Sequence, residues 1–332
     1  MNNIFSMFIE KFKVPERLKN QVHKILSEKE IIVLNYLADK EESISNINSE
    51  FPLLGFSLIE SLYEKGYLIR QSTESETFYK SNTFDQILKR FVNDNPKYQE
   101  LHHKEKSLFQ EFISELFLKE MKASKKPVYR VVPIEKTLQD KRQLIPYHQA
   151  DHFLQKSSAL SLIDCICRTT FNKCDKPRKV CIVLGDQAEF FIDRGIGEKI
   201  DSRRGLEVLD IAEKNGLVHS IDNKEDPDFI CNCCECCCVF VQALKKRGIF
   251  TSLGKSGFIA VSDQELCDQC GICVDKCIFE AISIDGESIK FDENKCFGCG
   301  LCAYNCPQKA IKLIYSFGYK AFPVLVAQNK QK

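Results

Sequence analysis

Apolar residues at helical spacing follow Ser27: Ile31, Ile32, Leu34 and Leu37 can line one face of a helix that Ser27 caps. Ser43 offers a second cap. An apolar run from Leu53 to Leu62 ends near Gly66, a natural C-cap residue. Tyr67 to Arg70 and Thr77 to Tyr79 flank the polar stretch Gln71 to Glu76, which predicts a β-hairpin. Leu108, Phe109, Phe112, Leu116 and Phe117 form the stripe of a long helix over 97–126. Val128 to Ile134 predicts a strand limited by Pro133. A short helix is expected from Tyr147 to Phe153, and a buried strand from Ala159 to Ile163, leading into Cys165. Asp201 can cap a helix that runs to Lys214 and closes at Gly216. Val239 to Lys246 predicts another, closed by Gly248. Strands are expected again at Phe258 to Val261 and Ile311 to Tyr315.

Together these elements predict a multidomain α+β chain. Its expected parts are residues 1–95, a helical connector over 96–157, a mixed α/β part over 158–257, and a terminal part over 258–332. The first part, three helices and a hairpin, resembles a winged-helix domain. Winged helices often read DNA, but phosphate contact needs a basic footprint. Residues 1–100 hold 13 basic against 15 acidic residues. The would-be recognition helix, Phe56 to Lys65, carries Glu60 and Glu64 against one lysine, and the hairpin tip carries Glu74 and Glu76. The charge pattern therefore favours a docking or homodimerisation module over specific DNA binding.

Over the whole chain, 47 lysines and arginines balance 46 aspartates and glutamates. No apolar run reaches the roughly 18 residues that a membrane span needs, and Met1 to Glu10 lacks the cationic flank of a signal peptide. A cytoplasmic, reducing location is expected, where disulfides are rare and clustered cysteines act as metal ligands.

That expectation matters because the chain has 18 cysteines, all between Cys165 and Cys306. Eight of them form a doubled pattern 29 residues apart. Cys267, Cys270, Cys273 and Cys277 are spaced x2-x2-x3, as are Cys296, Cys299, Cys302 and Cys306. Two intervening residues let a tight loop point thiolates at different irons of one cube; the fourth cysteine starts a helix that leads away, so it ligates the other cluster. Cys267, Cys270, Cys273 and Cys306 are thus expected to hold one [4Fe-4S] cluster, and Cys296, Cys299, Cys302 and Cys277 a second. Gly271, Gly298 and Gly300 let backbone amides approach the sulfurs. Residues 258–316 resemble the bacterial-type ferredoxin with two [4Fe-4S] clusters, a βαββαβ fold. Pro307 follows the last cysteine as in that family, whereas Ile278 stands where the first half usually has proline. Structural zinc would not require this doubled spacing.

The other ten cysteines fall in two sets. Cys165, Cys167, Cys174 and Cys181 come first; Cys231, Cys233, Cys234, Cys236, Cys237 and Cys238 follow about fifty residues later. Six thiols in eight residues exceed what packing needs. Neighbouring side chains diverge, so adjacent cysteines should serve different metals or roles. Arg168, Arg178 and Lys179 can offset thiolate charge. The C-x-C-R motif from Cys165, the Cys174–Cys181 spacing, Gly216 to His219, and the run from Phe229 to Cys238 are similar to a family of uncharacterised iron–sulfur proteins of anaerobic microbes. The resemblance implies an iron–sulfur protein acting in electron transfer, without naming a substrate. Our own ligand reading places a third [4Fe-4S] cluster on Cys165, Cys167, Cys174 and Cys181. The Cys231–Cys238 run would hold a further centre, complete a shared one, or act as a redox-active dithiol.

Three other patterns carry less. His148 and His152 stand at i and i+4 but lack a third ligand. Gly254-Lys255-Ser256 lacks the leading glycine of a phosphate loop, since Ile249 stands there. Gly195-Ile196-Gly197 lacks the third glycine of a dinucleotide site. With neither a flavin nor a nicotinamide fingerprint, donor and acceptor are expected to be redox partner proteins. The chain is read as an electron carrier; a redox-sensing regulator and an iron–sulfur oxidoreductase subunit are the alternatives.

Overall fold

The computed structural model describes residues 3–53, 55–140, 149–286 and 288–316, with the backbone alone at Gly55. Tyr147 and His148 lie outside these; the rest of the expected 147–153 helix falls largely within the helix Ala150–Lys156. The chain divides into two compact units, residues 1–113 with 193–196, and residues 114–192 with 197–332. The helix His103–Ala123 runs across the division. The architecture is mixed α/β with several separate sheets.

In the first unit, Ser27 begins the helix Glu28–Leu37 with a reciprocal cap. Its hydroxyl accepts from the Glu30 amide, and the Glu30 carboxylate accepts from the Ser27 amide at 2.7 Å. Two otherwise unpaired helix-end donors are satisfied in this way. Buried Glu30 also meets Lys65 at 2.8 Å. Burial alone would raise its pKa, but Lys65 and Ser27 outweigh that and hold the carboxyl below its ordinary value. Ser43 caps the helix Ile44–Glu50. The third helix, Gly55–Glu64, starts later than the apolar run because Leu53 is 98% exposed; Gly66, at φ +71°, turns the chain out of it. Three antiparallel strands follow the order β1-β3-β2: β1 Glu41–Ser43, β2 Leu68–Ser72 and β3 Thr77–Ser81. The short strand β1 has no signal in the apolar pattern.

A seven-stranded sheet dominates the second unit: β4 Tyr129–Val131, β5 Leu160–Asp164, β6 Lys179–Leu184, β7 Glu198–Ile200, β8 Val218–Asp222, β9 Phe229–Cys233 and β10 Leu253–Gly254. Their order is β10-β4-β8-β9-β6-β5-β7, antiparallel except for β10 with β4. β4, within the expected connector, is thus an inner strand. Gly197 has a packing reason unrelated to nucleotides, because a Cβ there would lie 2.1 Å from Ser161 Oγ.

The rest of the unit runs β11 Phe258–Ser262, helix Ile272–Lys276, β12 Ile282–Asp285, β13 Ser288–Phe291, helix Leu301–Tyr304 and β14 Ile311–Tyr315. β11 pairs antiparallel with β14, so the two ends of this segment close on each other. Hydrogen bonds tie it to the rest of the unit: the Ile134 amide donates to Cys299 O at 3.1 Å, and the Lys245 side chain donates through Nζ to Ile278 O at 2.7 Å.

The Ser27 cap should contribute about 1 kcal/mol. In Ser27→Ala, amides of 28–37 are expected to exchange hydrogen about fivefold faster, with those of β6 unchanged. Equal rates in both segments would show that the cap is not limiting.

Candidate metal centres

The eight C-terminal cysteines sit in two similar loops. Cys296, Cys299 and Cys302 line a cavity, and Cys277, from the other half of the repeat, lines the same cavity. Ala260, Ala281, Leu301 and Leu313 supply apolar wall. Backbone N–H groups face the sulfurs: those of Ala260 and Gly298 donate to Cys296, Leu301 to Cys299, and Ala303 to Cys302. The Ala281 amide donates to Cys277 Sγ at 3.3 Å. Burial raises the free thiols all the same, Cys299 to about 12. Positive metal must therefore offset the cost of burying the thiolates. The backbone crosses very close here. A Cβ on Gly298, at φ +65°, would lie 2.2 Å from Phe258 O and 2.3 Å from Ser256 Oγ. Donor set, apolar wall and amide cradle all fit an iron–sulfur cluster.

In the other loop, Cys273 is buried, Cys267 is half-buried and Cys270 is exposed. The Cys273 thiol is raised by burial, although the Val274 amide donates to it. Half-buried Cys306 packs against the same apolar cluster as Cys267 and Cys273.

Residues 266–310 match the family model of the 4Fe-4S dicluster domain. An iron–sulfur, ferredoxin-like domain is part of this chain. No curated protein and no solved structure matches the chain. Among the described residues, no helix is long and apolar enough to cross a membrane. A dicluster domain gives the protein an iron–sulfur electron-transfer role and a place for at least one [4Fe-4S] cluster.

Outside the dicluster domain, the ten remaining cysteines regroup in a way their order along the chain does not suggest. Cys181 on β6 and Cys231 on β9 are cross-strand neighbours, since Ile182 is paired with Ile230. Alternation along β9 puts Cys233 on the same face as Cys231. Cys165 and Cys167 bracket the start of the helix Ile166–Phe171, and Cys238 is the N-cap of Val239–Arg247. The thiols make a continuous row. Cys231 meets Cys181, which meets Cys165; Cys165 meets Cys167, which meets Cys238; and Cys238 lies 3.1 Å from Cys233. Hydrogen bonds from Cys167 and Cys181, with the Arg168 charge, hold the Cys165 thiol well below its ordinary range. The donors Cys167 and Cys181 are pushed up.

The expected set Cys165, Cys167, Cys174 and Cys181 is therefore divided. Asn172, at φ +46°, ends the helix Ile166–Phe171 in a left-handed turn. That turn carries Cys174 away from the row and toward Cys234, Cys236 and Cys237, and all four sulfurs lie within 4.8 Å of one another. The Cys231–Cys238 run is split in the same way, because β9 ends at Cys233 and the following turn reverses the chain.

Arg168 stands between the two groups and is 1% exposed. Its Nη1 donates to Asn232 O at 3.0 Å, and Cys165, Cys181 and Cys234 surround its charge. Burial would raise the Cys234 thiol, but Arg168 overrides it and the thiol is lowered. Of the other two cations, Arg178 donates to Asn172 Oδ1 at 2.6 Å, and exposed Lys179 pairs with Glu198 at 2.5 Å. His219, at the end of the Gly216–His219 motif, is a buried positioning residue. Its Nδ1 lies 2.6 Å from Asn232 Oδ1, and Asn232 Nδ2 donates to Val180 O at 2.5 Å. This fixes the β9 backbone between Cys231 and Cys233. Neither His219 nor Asn232 stood out from the cysteine spacing alone.

Arg168→Met would leave buried thiolate charge unmatched, and removing one member of a buried charge pair typically costs about 3–5 kcal/mol. Anaerobic denaturant unfolding of the full chain should show a loss of that order, with partial recovery in Arg168→Lys. Unchanged stability in Arg168→Met would mean that the guanidinium is not the counter-charge.

Proposed function

We propose that the protein relays single electrons through two [4Fe-4S] clusters in the dicluster domain and a further iron–sulfur centre in the row of six sulfurs. Cluster one is assigned to Cys267, Cys270, Cys273 and Cys306, and cluster two to Cys296, Cys299, Cys302 and Cys277. The cavity that Cys277 shares with the second triplet supports this crossed pattern. The observation that carries the reading is a single apolar core: Cys233 and Cys238 of the row, and Cys277 and Cys299 of the dicluster loops, border it together with Phe240, Ile278, Phe279 and Phe297. Phe279 and Phe297 stack there, ring centroids 4.3 Å apart.

When bound, the clusters supply one-electron redox chemistry at potentials set by charge, hydrogen bonding and exposure. The chain's own residues set these conditions. Backbone amides donate to the sulfurs of cluster two, Arg168 offsets charge at the row, and the shared core excludes water between them. Exposed Cys270 puts cluster one at the surface, where a redox partner protein can dock. A reducing, cytoplasmic setting agrees with 18 free cysteines. The dithiol reading is weaker, because Cys233 and Cys238 are both buried away from any substrate.

Residues 1–95 are assigned to a winged-helix-like docking or homodimerisation module. The three helices, two of them capped by Ser27 and Ser43, and the three-stranded antiparallel sheet support it. On the third helix, Glu60 accepts from Tyr79 Oη at 2.5 Å and meets Arg70 at 3.6 Å, so its acid is committed to the hairpin.

Anaerobically purified full-length protein should contain more than the about eight irons and eight sulfides of two [4Fe-4S] clusters. Cys277→Ser should alter the paramagnetic resonance signal of cluster two. An effect confined to cluster one would overturn the crossed assignment, and iron at or below eight would remove the further centre. Duplex DNA titrated at physiological salt should show only weak, sequence-independent binding. Submicromolar, sequence-dependent binding would promote the redox-sensing regulator instead.

A further inference from the structure

The four sulfurs that leave the row all lie within 4.8 Å of one another, whereas the row extends from one sulfur to the next. Cys174 Sγ lies 3.8 Å from Cys237 and 4.0 Å from Cys234, and Cys236 lies 3.8 Å from Cys237. A single tetrahedral ion with metal–sulfur bonds of about 2.3 Å places its ligands about 3.8 Å apart. A cubane holds its four thiolates on four separate irons, with inorganic sulfide between them, so its ligands must stand farther apart. Among the described residues, this is the only group of three or more cysteine, histidine or acidic donors within 4.8 Å of one another. The eight dicluster cysteines are all described and form no such group. One chain thus shows two ligand spacings, and only one of them suits a single ion.

We propose that Cys174, Cys234, Cys236 and Cys237 bind one zinc ion, apart from the electron path. Four thiolates on a divalent ion leave two negative charges. Arg168, almost fully buried beside Cys234, supplies a cation whose Nε and Nη2 have no nitrogen or oxygen acceptor. The Lys173 amide donates to Cys237 Sγ at 3.3 Å and so offsets charge on that sulfur. Soft thiolates hold zinc more tightly than ferrous iron, which selects the metal. The ion closes a loop of about sixty residues between Cys174 and Cys234. In doing so it clasps the turn after the helix Ile166–Phe171 to the turn after β9. Those turns adjoin Cys167 and Cys233, so the ion holds the two halves of the row in register.

The test is metal analysis of the full chain, purified without oxygen and with iron and sulfide fully loaded. One zinc per chain is expected, with zinc-edge absorption showing four sulfurs at about 2.3 Å. In Cys236→Ser, zinc should be lost or bound weakly while the resonance signals of the dicluster domain persist. Wild-type protein without zinc, or with zinc bound by nitrogen and oxygen, overturns the proposal whether or not the variant folds. So does a mononuclear iron signal that Cys236→Ser abolishes. Loss of iron and sulfide in that variant, with zinc unchanged, would place the four cysteines on a cluster instead.

Discussion

Thiolate is costly to bury, and the arrangement of the second unit follows from that cost. A buried anion must be matched by metal, by a cation or by aimed N–H groups. The dicluster loops use N–H groups: tight turns, several through glycine at positive φ, bring successive amides to the sulfurs. The central sheet has regular strands whose amides are already paired with neighbouring strands, so only amides of turns and helix ends, such as Lys173 to Cys237, reach sulfur there. It relies on Arg168, held at the centre of the sulfur groups by the Asn232 carbonyl.

This difference explains the fold around each site. The C-terminal segment has short helices and two-stranded sheets because its chain spends its residues in loops around the sulfurs. The central part needs a stiff platform. Seven strands, one of them pinned by the pairing of Asn232 with His219, present Cys181, Cys231 and Cys233 on one face at fixed spacing. The helices that begin at Cys165 and Cys238 complete the row from above. Apolar packing from Phe240, Phe279 and Phe297 then joins the platform to the loops and keeps water from the space between.

The first unit has no cysteine, and among its described residues no group of metal-ligating side chains forms. Its buried Glu30 is matched locally, by Lys65 and by the Ser27 cap. It is built from the ordinary devices of small helical domains, and Glu60 on its third helix is turned to its own hairpin.

Local signals determined much of this protein. Caps at Ser27, Ser43 and Asp201, the hairpin at Tyr67, the strand before Cys165 and the glycines after two helices each depend on a few neighbouring residues, and each element lies within a few residues of where those signals put it. The doubled cysteine spacing was legible for the same reason: a loop around a cluster is a local object. The partition of the other ten cysteines was not. Cys174 follows Cys167 in sequence, yet a left-handed Asn172 sends it to sulfurs sixty residues away. Cys233 and Cys234 are adjacent, yet a strand ends between them and they join different groups. Which thiols meet was decided by the order of β5, β6 and β9 in the sheet, a non-local pairing on which cysteine spacing is silent. Tertiary structure alone places Arg168 where both groups can share its charge.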